Sequence, residues 1–305
     1  MISVEPLGIG FPYSAAMPPE FYRSGAMDFV EIAPETLCRQ LKGGKATELE
    51  IIPEQMERAR ATCGALRAVV HGVELSIGSA HGCNAAYLEM LDTFQAAWPF
   101  VWHSEHLGFQ TIAGDDGATA EVGVPLPLPA TREAVDMVAE RSLAIGARYG
   151  VPFLLENPAY YIAPGELPSD KEIGDDIGMM RAIMARSGCY QLLDLHNIYC
   201  NSLNHGSDPF AVIDRVVLNR VIEIHVAGGS SRDGFWMDGH NGRVPERVWE
   251  MLEYALPRAP QVAGVVFEML DEFAPRLGSM GIIEELSRAR AIWNRCRAMD
   301  CYAAA

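Results

Sequence analysis

The sequence predicts an α/β fold, a single (β/α)8 barrel of the TIM type. Eight short apolar segments alternate with helix-like segments along all 305 residues, and the pattern does not change late in the chain. The length suits one such barrel, and 49% hydrophobic residues are enough for a full core. The glycine-rich loop that a doubly wound open sheet carries after its first strand is missing. We therefore expect residues 1–305 to form one domain, with its site at the carboxyl ends of the strands.

Each predicted strand is a short apolar run bounded by turn-forming residues. In order, the runs are LGIGF (7–11), FVEIAP (29–34), AVVHGVEL (68–75), VWHSEHLGF (101–109), PFLLENP (152–158), LLDLHNIY (192–199), VIEIHVAGG (221–229) and GVVFEML (264–270). The predicted helices lie near 48–62, 84–97, 131–150, 173–187, 209–218, 245–256 and 281–299. The helix over 131–150 has the clearest signals, because Thr131 is a good N-cap and Gly150 a good C-terminal stop.

The composition argues against several classes of protein. A net charge of −16 disfavours a nucleic-acid partner, since phosphate contacts need a basic face. No apolar run approaches the roughly 18 residues of a membrane span, and the N-terminal MISVEPLGIGF lacks the regions of a secretory signal. The seven cysteines form no CxxC pair, which predicts reduced thiols in a cytoplasmic protein.

Residues of the types that commonly bind metals, together with two asparagines, occur where the predicted strands end. They are Glu31, His71, His103, Glu105, His106, Glu156, Asn157, Asp194, His196, Asn197, Glu223, His225 and Glu268, and the loop after the seventh strand adds Asp238 and His240. Six of the eight histidines lie in these places. Because the carboxyl ends of barrel strands converge on one face, we expect these side chains to lie together.

Such a collection of side chains indicates a metal site. Imidazoles and carboxylates are costly to bury unless they are paired or bound to a cation. Carboxylates held close together repel one another, and a multivalent cation between them relieves that repulsion. Histidine with aspartate and glutamate, without cysteine, favours iron, manganese or zinc over a structural thiolate site.

Each residue also has a simpler interpretation when taken alone. A lone strand histidine such as His71 is usually hydrogen-bonded in the core. The ENP at 156–158 fits a strand that ends before a proline, and the DGH at 238–240 fits an ordinary turn. Cys200 is more simply a buried thiol than a nucleophile. The metal interpretation therefore depends on the joint pattern.

Strand geometry limits which side chains share a face. Residues i and i+2 point the same way, so Asp194 and His196 are expected on one side, and Asn197 on the other unless the strand has already ended. For the same reason His103 and His106 cannot both point inward, and the residues alone leave open which one does.

Three further features of the sequence have open roles. His81 and His205 are placed in loops after the third and sixth strands, either beside a substrate or in solvent. The loop over 228–242, with its Phe235-Trp236 pair, is either a lid or a plain connection.

Together these motifs resemble the multinuclear non-haem iron-dependent oxidases (MNIO), a family of xylose-isomerase-like barrels. The resemblance extends from GIGFPY to about Glu268. Its motifs are HGVELSIGS (71–79), HSEHLGF (103–109), LLENP (154–158), LLDLHNIYCNSLNHG (192–206), EIHVAGG (223–229), DGH (238–240) and FEML (267–270).

The resemblance implies an activity, a cofactor and partners. Family members hold two or three iron ions (Fe2+/Fe3+), use O2 as co-substrate, and modify a residue, often cysteine, of a ribosomally synthesised peptide in natural-product biosynthesis. The enzymes of methanobactin and 3-thiaglutamate biosynthesis are similar, and in the latter pathway a C-terminal cysteine loses its β-carbon. The implied partners are the precursor peptide and a small protein that binds the peptide leader in a heterodimer.

Carried over to matching positions, the resemblance implies metal ligands at His71, His106, Glu156, Asp194, His225, Asp238, His240 and Glu268. It favours His106 over His103, and it makes Glu156 a bridging carboxylate with a catalytic role. The chain departs from the family where the usual Asp-x-Asn-Asn becomes Asp194-Leu195-His196-Asn197. Imidazole binds iron more strongly than an amide does, so we expect His196 to be a ninth ligand with a catalytic role.

Two other function classes stay open from the sequence. One is a redox-neutral barrel enzyme that uses zinc, manganese or magnesium, such as a sugar isomerase or an endonuclease, and the charge disfavours the latter. The other is a non-catalytic metal-binding subunit with saturated coordination. The three lysines, Lys42, Lys45 and Lys171, lie away from the predicted strands, which argues against a Schiff-base aldolase and against isomerase schemes that need a lysine.

Overall fold

The computed structural model describes residues 4–41, 48–113, 119–162 and 165–303, so that Lys42 and Lys45 lie outside the described residues. The fourteen strands are β1 Gly8–Pro12, β2 Phe29–Ile32, β3 Cys38–Leu41, β4 Glu48–Ile51, β5 Arg67–Gly72, β6 Phe100–His106, β7 Phe109–Ala113, β8 Thr119–Leu126, β9 Phe153–Glu156, β10 Tyr190–Asp194, β11 Val221–Ala227, β12 Ser230–Arg232, β13 Phe235–Met237 and β14 Gly264–Glu268. The α-helices are α1 Pro19–Tyr22, α2 Pro53–Cys63, α3 Ala85–Ala97, α4 Arg132–Tyr149, α5 Asp176–Ser187, α6 Leu195–His205, α7 Pro209–Ile213, α8 Glu246–Ala255 and α9 Ala274–Ala303.

Eight of the strands form a closed parallel barrel in the order β1-β14-β11-β10-β9-β6-β5-β2. The sequence-based prediction of an eight-stranded α/β barrel is therefore confirmed, and every predicted strand contributes one barrel strand. The remaining strands form the hairpins β3–β4, β7–β8 and β12–β13. In the described part of the chain no helix has the length and hydrophobicity needed to cross a bilayer.

The chain falls into two compact units. The first comprises Met1–Glu31, Ala61–Arg67 and Gln191–Ala305, and the second comprises Ile32–Arg60 and Ala68–Tyr190. That residues 1–305 form one domain stays a prediction.

Within each unit the strand registers place polar residues opposite one another on adjacent strands. In the first unit Asp194 lies opposite His225, and Ala227 opposite Glu268. In the second unit His106 lies opposite Glu156, and His71 opposite Ser104. The strand-end residues found in the sequence therefore belong to adjacent positions of neighbouring strands.

The sixth barrel strand is shorter than predicted, and its second half is a helix. The strand Tyr190–Asp194 is followed directly by α6, which begins at Leu195. The cause is Asp194, whose Oδ1 accepts a hydrogen bond of 2.6 Å from the N–H of Asn197 and so caps the helix. The expectation that Asp194 and His196 share one strand face is therefore wrong, and His205 lies in the last turn of α6 and not in a loop.

Several other segments differ from their predictions, among them the helix near 209–218, which ends at Ile213. The expected helix near 48–62 begins only at Pro53, because Glu48–Ile51 pairs antiparallel with Cys38–Leu41. The apolar run at 101–109 divides at His106, and Phe109 begins the β7–β8 hairpin. The helix α4 agrees with its prediction, since Thr131 accepts a bond from the N–H of Ala134 and Gly150 has a left-handed φ of 66°.

Candidate metal centre

The second unit contains a ligand cluster of His71, His106 and Glu156, called here the first cluster. Glu156 Oε2 lies 2.8 Å from His106 Nδ1 and 3.3 Å from His71 Nε2. His71 and Glu156 are buried, and His106 is partly exposed. Neighbouring ligands of a six-coordinate ion with bonds of about 2.1 Å lie about 3.0 Å apart, so the two distances suit one shared cation.

Ser104 fixes which nitrogen of His71 bears the proton. Its hydroxyl donates to the carbonyl of Val70 at 3.1 Å, so its oxygen accepts from Nδ1–H of His71 at 3.0 Å. The lone pair of His71 Nε2 then points toward the carboxylate of Glu156. A lone pair that faces a carboxylate in a buried place needs a proton or a metal ion between them, and a hydrogen-bonded second nitrogen is usual for metal-binding histidines. The first cluster therefore fits a metal such as iron.

His103 lies apart from this cluster. Its Nε2 is 2.8 Å from Glu105 Oε1, and its ring packs against Tyr149 and Phe153. Strand alternation places residues 103 and 105 on the opposite side of β6 from residues 104 and 106. Glu105 also abuts Gly72, where a Cβ atom would collide with it.

The first unit contains an unbroken chain of alternating carboxylates and imidazoles, called here the alternating chain. Its members, in order of contact, are Glu31, His225, Glu268, His240, Asp238 and His196. His225 lies 3.0 Å from Glu31 Oε2 through Nε2 and 3.0 Å from Glu268 Oε2 through Nδ1. Glu268 then reaches His240 Nδ1 at 3.4 Å through its other oxygen.

Asp238 joins the remaining two histidines of the alternating chain. Its Oδ1 lies 2.9 Å from His240 Nε2 and 2.7 Å from His196 Nδ1. His240 has a φ of 43°, a left-handed conformation that is costly for a residue with a side chain. Such conformations persist where the surroundings hold them, and the N–H of Leu270 bonds to the His240 carbonyl at 3.1 Å.

Two more buried acids lie beside His225. Asp194 Oδ2 and Glu223 Oε1 are each 4.0 Å from its ring nitrogens. Glu31 and Glu223 were recognised as strand-end acids in the sequence but were not placed among the ligands, and the structure brings both to His225. The signal for Glu223 was its i, i+2 spacing from His225, which puts both side chains on one face of β11.

The charges of the alternating chain follow from these contacts. Burial alone would lower the pKa of His225, but the carboxylates of Glu31 and Glu268 raise this pKa well above its ordinary value. Likewise, burial opposes the charge on His240, yet Asp238 and Glu268 raise its pKa. For Asp238, burial favours the neutral acid, but His240 and His196 outweigh it and lower the pKa. The metal-free chain therefore holds protons where a metal ion would sit.

Metal affinity is expected to rise with pH across neutrality. A metal ion binds the neutral imidazole, so an ion that binds through His225 or His240 must displace its proton. Because both pKa values are raised, these protons are still present at neutral pH and are lost only as the pH rises further. Chelator competition with Zn2+ should give a slope of about one logarithmic unit of affinity per pH unit for each histidine deprotonated. An affinity that does not change between about pH 6 and pH 9 would contradict this protonation state.

His196 lies at the end of the alternating chain with three neighbours. Besides Asp238, its ring contacts Trp236, whose Nε1–H donates to Nε2 at 3.2 Å. The sulfur of Cys200, one helical turn away, lies 3.7 Å from Nδ1 and 3.8 Å from Nε2. Burial raises the pKa of the Cys200 thiol, and Asp238 and Asp194 add to this. Cys200 is therefore a buried thiol, in agreement with the sequence-based interpretation.

The other sequence candidates lie elsewhere. His81 is exposed in the turn after β5 and lines a cleft of about 420 Å³ with Phe109, Thr111 and Glu133. Asn197 is buried in the first turn of α6 and is the residue whose N–H Asp194 caps. The nine predicted ligands thus lie in the first cluster, in the alternating chain, or, for Asp194, next to His225. That they form one centre stays a prediction.

The fold is similar to that of solved xylose-isomerase-like TIM barrels. It is similar to a D-allulose 3-epimerase from Methylomonas sp. (TM-score 0.52, 14% identity, 97% of this chain and 100% of that one). It is equally similar to a putative xylose isomerase from Rhodospirillum rubrum (TM-score 0.52, 15% identity, 94% and 99% covered). At such identities the similarity concerns the fold alone.

The chain belongs to the family described as RiPP precursor modification enzyme MbnB/TglH/ChrH, whose model matches residues 7–294. These are enzymes that modify ribosomally made precursor peptides. A UPF0276 protein of Caulobacter vibrioides is 32% identical over 268 residues, covering 88% of this chain and 86% of that protein. A UPF0276 protein of Haemophilus influenzae is 27% identical over 327 aligned positions, with 97% and 99% covered. The family expected from the sequence motifs is confirmed.

Proposed function

We propose that this protein is an iron- and O2-dependent oxidase that modifies a residue, preferably cysteine, of a ribosomally synthesised precursor peptide. The observation that carries the proposal is the first cluster, in which Ser104 directs the Nε2 lone pair of His71 at Glu156, a geometry that a metal ion between the two atoms would satisfy. The donors there are nitrogen and oxygen only, which suits a non-haem iron site.

We further propose that the metal ligands are His71, His106, Glu156, Asp194, His196, His225, Asp238, His240 and Glu268. When bound, iron supplies one-electron redox chemistry and reactivity toward O2. The chain's own residues supply its setting. Ser104 orients His71, Glu156 is shared by two histidines, and burial of the first cluster excludes most water.

The alternating chain supplies a path for protons. Its histidines and carboxylates contact one another from Glu31 to His196, so a proton given up by one imidazole has an acceptor beside it at every point. Protons displaced as an ion binds can therefore move along the members of the chain that hold no metal, while a bound ion takes the place of the proton at its own ligands and interrupts the path there.

We extend the proposal to the protein's surroundings. A precursor peptide is the substrate, a small protein binds its leader, and the enzyme works in the cytoplasm. The six cysteines described in the structure are all free thiols, which supports a reducing compartment.

The test is reconstitution with a defined peptide. The protein is co-expressed with a short cysteine-containing peptide encoded beside it, and the peptide is analysed by mass spectrometry while the metal content of the enzyme is measured. We expect a mass change that needs both iron and O2. Equal turnover of the zinc-loaded enzyme under strict anaerobiosis would refute the oxidase and favour a redox-neutral barrel enzyme. Bound metal without any turnover would favour a non-catalytic subunit.

Replacing His196 by asparagine restores the family's usual motif and tests the ninth ligand. The variant His196→Asn is expected to bind less iron than the wild type, because an amide is a weaker iron ligand than imidazole. Iron per chain and the yield of modified peptide are the two readouts. If neither changes, His196 is not a ligand.

A further inference from the structure

Both ring nitrogens of His196 are engaged in hydrogen bonds. The ring is fully buried, with Nδ1 2.7 Å from Asp238 Oδ1 and Nε2 3.2 Å from Trp236 Nε1. The indole N–H can only donate, so Nε2 is the unprotonated nitrogen. Nδ1 therefore bears the proton and donates a hydrogen bond to Asp238. In this arrangement the one lone pair of the neutral ring is used by Trp236.

A metal ion cannot bind His196 while this indole stays in place. If the ion took Nδ1, the neutral ring would carry its proton on Nε2, which would then face the indole N–H as a second donor. If the ion took Nε2, the Nδ1–H bond to Asp238 would persist, and histidine ligands usually have such a carboxylate partner. The second arrangement keeps the bond to Asp238 but uses the lone pair that accepts from Trp236, and it therefore requires the indole to leave.

The position of Trp236 is set by helix α6, the helix that also carries His196. The side chain of Asn204 bonds twice to the Trp236 main chain, accepting from its N–H at 2.7 Å and donating to its carbonyl at 2.9 Å. Tyr199 meets the indole edge-on, with ring centroids 5.7 Å apart. Gly229, the residue before β12, also lies close to the ring, since a Cβ atom there would be 2.8 Å from His196 Nε2.

Most of this hairpin is exposed. Ser230, Ser231, Arg232 and Phe235 are all accessible, and Trp236 itself is half-buried. The indole itself packs against side chains of α6, and the outer face of the hairpin lies in solvent, so an outward movement of this segment uncovers few core residues.

We propose that Trp236 is a gate on the metal position at His196, so that an ion binds there only when the β12–β13 hairpin withdraws the indole. This inference rests on the proposed role of His196 as a ligand. The gate weakens binding of the His196-dependent ion and couples its occupancy to the hairpin. Trp236 acts through His196 and is a positioning residue.

The experiment compares metal-free wild type with Trp236→Phe, which keeps an aromatic ring but cannot donate to Nε2. Each is titrated with Zn2+ against a competing chelator, and His196→Asn identifies the His196-dependent step. Trp236→Phe is expected to bind that ion about three- to tenfold more tightly, the equivalent of one net hydrogen bond. Trp98→Phe, at the end of α3, is the matched control and should leave the affinity unchanged.

A second readout follows the indole itself. The Nε1–H resonance of Trp236, assigned from its loss in Trp236→Phe, should shift during the His196-dependent step and stay still in His196→Asn. Asn204→Ala is the alternative variant if Trp236→Phe does not fold. It removes both hydrogen bonds to the Trp236 main chain and should raise the affinity of the His196-dependent ion.

Three outcomes overturn the gate. They are an unchanged affinity in both Trp236→Phe and Asn204→Ala, an indole resonance that does not shift while the His196-dependent ion binds, and the absence of any His196-dependent step. In the last case the proposed iron enzyme survives if the remaining metal still binds and the peptide is modified, and it fails as well if no metal binds.

Discussion

The variant Glu156→Gln is expected to lose the metal of the first cluster and with it peptide modification. Glu156 Oε2 is the atom that both His71 and His106 approach, so it is the shared anionic donor of this cluster. An amide in its place removes the charge and half of the acceptor capacity. Loss of an outer partner of a ligand costs about 10- to 100-fold in affinity, so loss of the shared carboxylate should cost more than about 100-fold. Metal analysis and mass spectrometry of the peptide are the measurements.

Glu105→Gln is the matched control for this substitution. Glu105 is also a buried glutamate of the second unit, but it pairs with His103 on the other side of β6. The control variant should keep its metal and its activity. Equal metal loss in both variants would mean that Glu156 acts only through general stability.

The variant His225→Gln is expected to destabilise the metal-free protein by about 3–5 kcal/mol, the usual cost of removing one partner of a buried ion pair. Its imidazole lies 3.0 Å from both Glu31 and Glu268, and its raised pKa makes it a cation there at neutral pH. Without this cation the two buried carboxylates lose their shared partner and repel each other, which lowers the free energy of unfolding. Urea unfolding of the metal-free wild type and variant at pH 7 measures the difference.

The pH dependence distinguishes this cause from simple loss of packing. The wild-type contribution is present below the ordinary pKa of histidine and is lost as the pH rises through the raised value. In the variant the carboxylates take up protons as the pH falls, which relieves their repulsion. The stability difference should therefore shrink on both sides of neutrality. A constant difference would contradict the charge explanation, and exposed His81→Gln should change stability by less than about 0.5 kcal/mol.

Most of the fold follows from local signals in the sequence. The eight barrel strands are short apolar runs between turn residues, and all eight were found because burial on both faces leaves a continuous apolar run. The candidate ligands could also be proposed from the sequence, since barrel topology brings strand ends to one face wherever they lie in the sequence.

What the sequence did not reveal depends on contacts between distant residues. The helix at Leu195 begins because one carboxylate oxygen of Asp194 turns back on the N–H of Asn197, and apolar periodicity carries no sign of that choice. The role of Ser104 depends on a neighbouring strand. Its hydroxyl donates a hydrogen bond to the carbonyl of Val70, and this leaves the oxygen to accept one from Nδ1–H of His71. Trp236 likewise meets His196 only through the hairpin that carries it.

Asp194 has two separate structural roles at one position. The same side chain ends a strand, starts the helix that carries His196 and Asn204, and presents a second oxygen 4.0 Å from His225. Asparagine and serine cap a helix about as well as aspartate does, but neither carries its charge. A relative with asparagine or serine at this position would therefore keep the helix start but lose the carboxylate beside His225. Position 194 is therefore a marker for separating relatives that keep the whole ligand set from those that keep only the barrel.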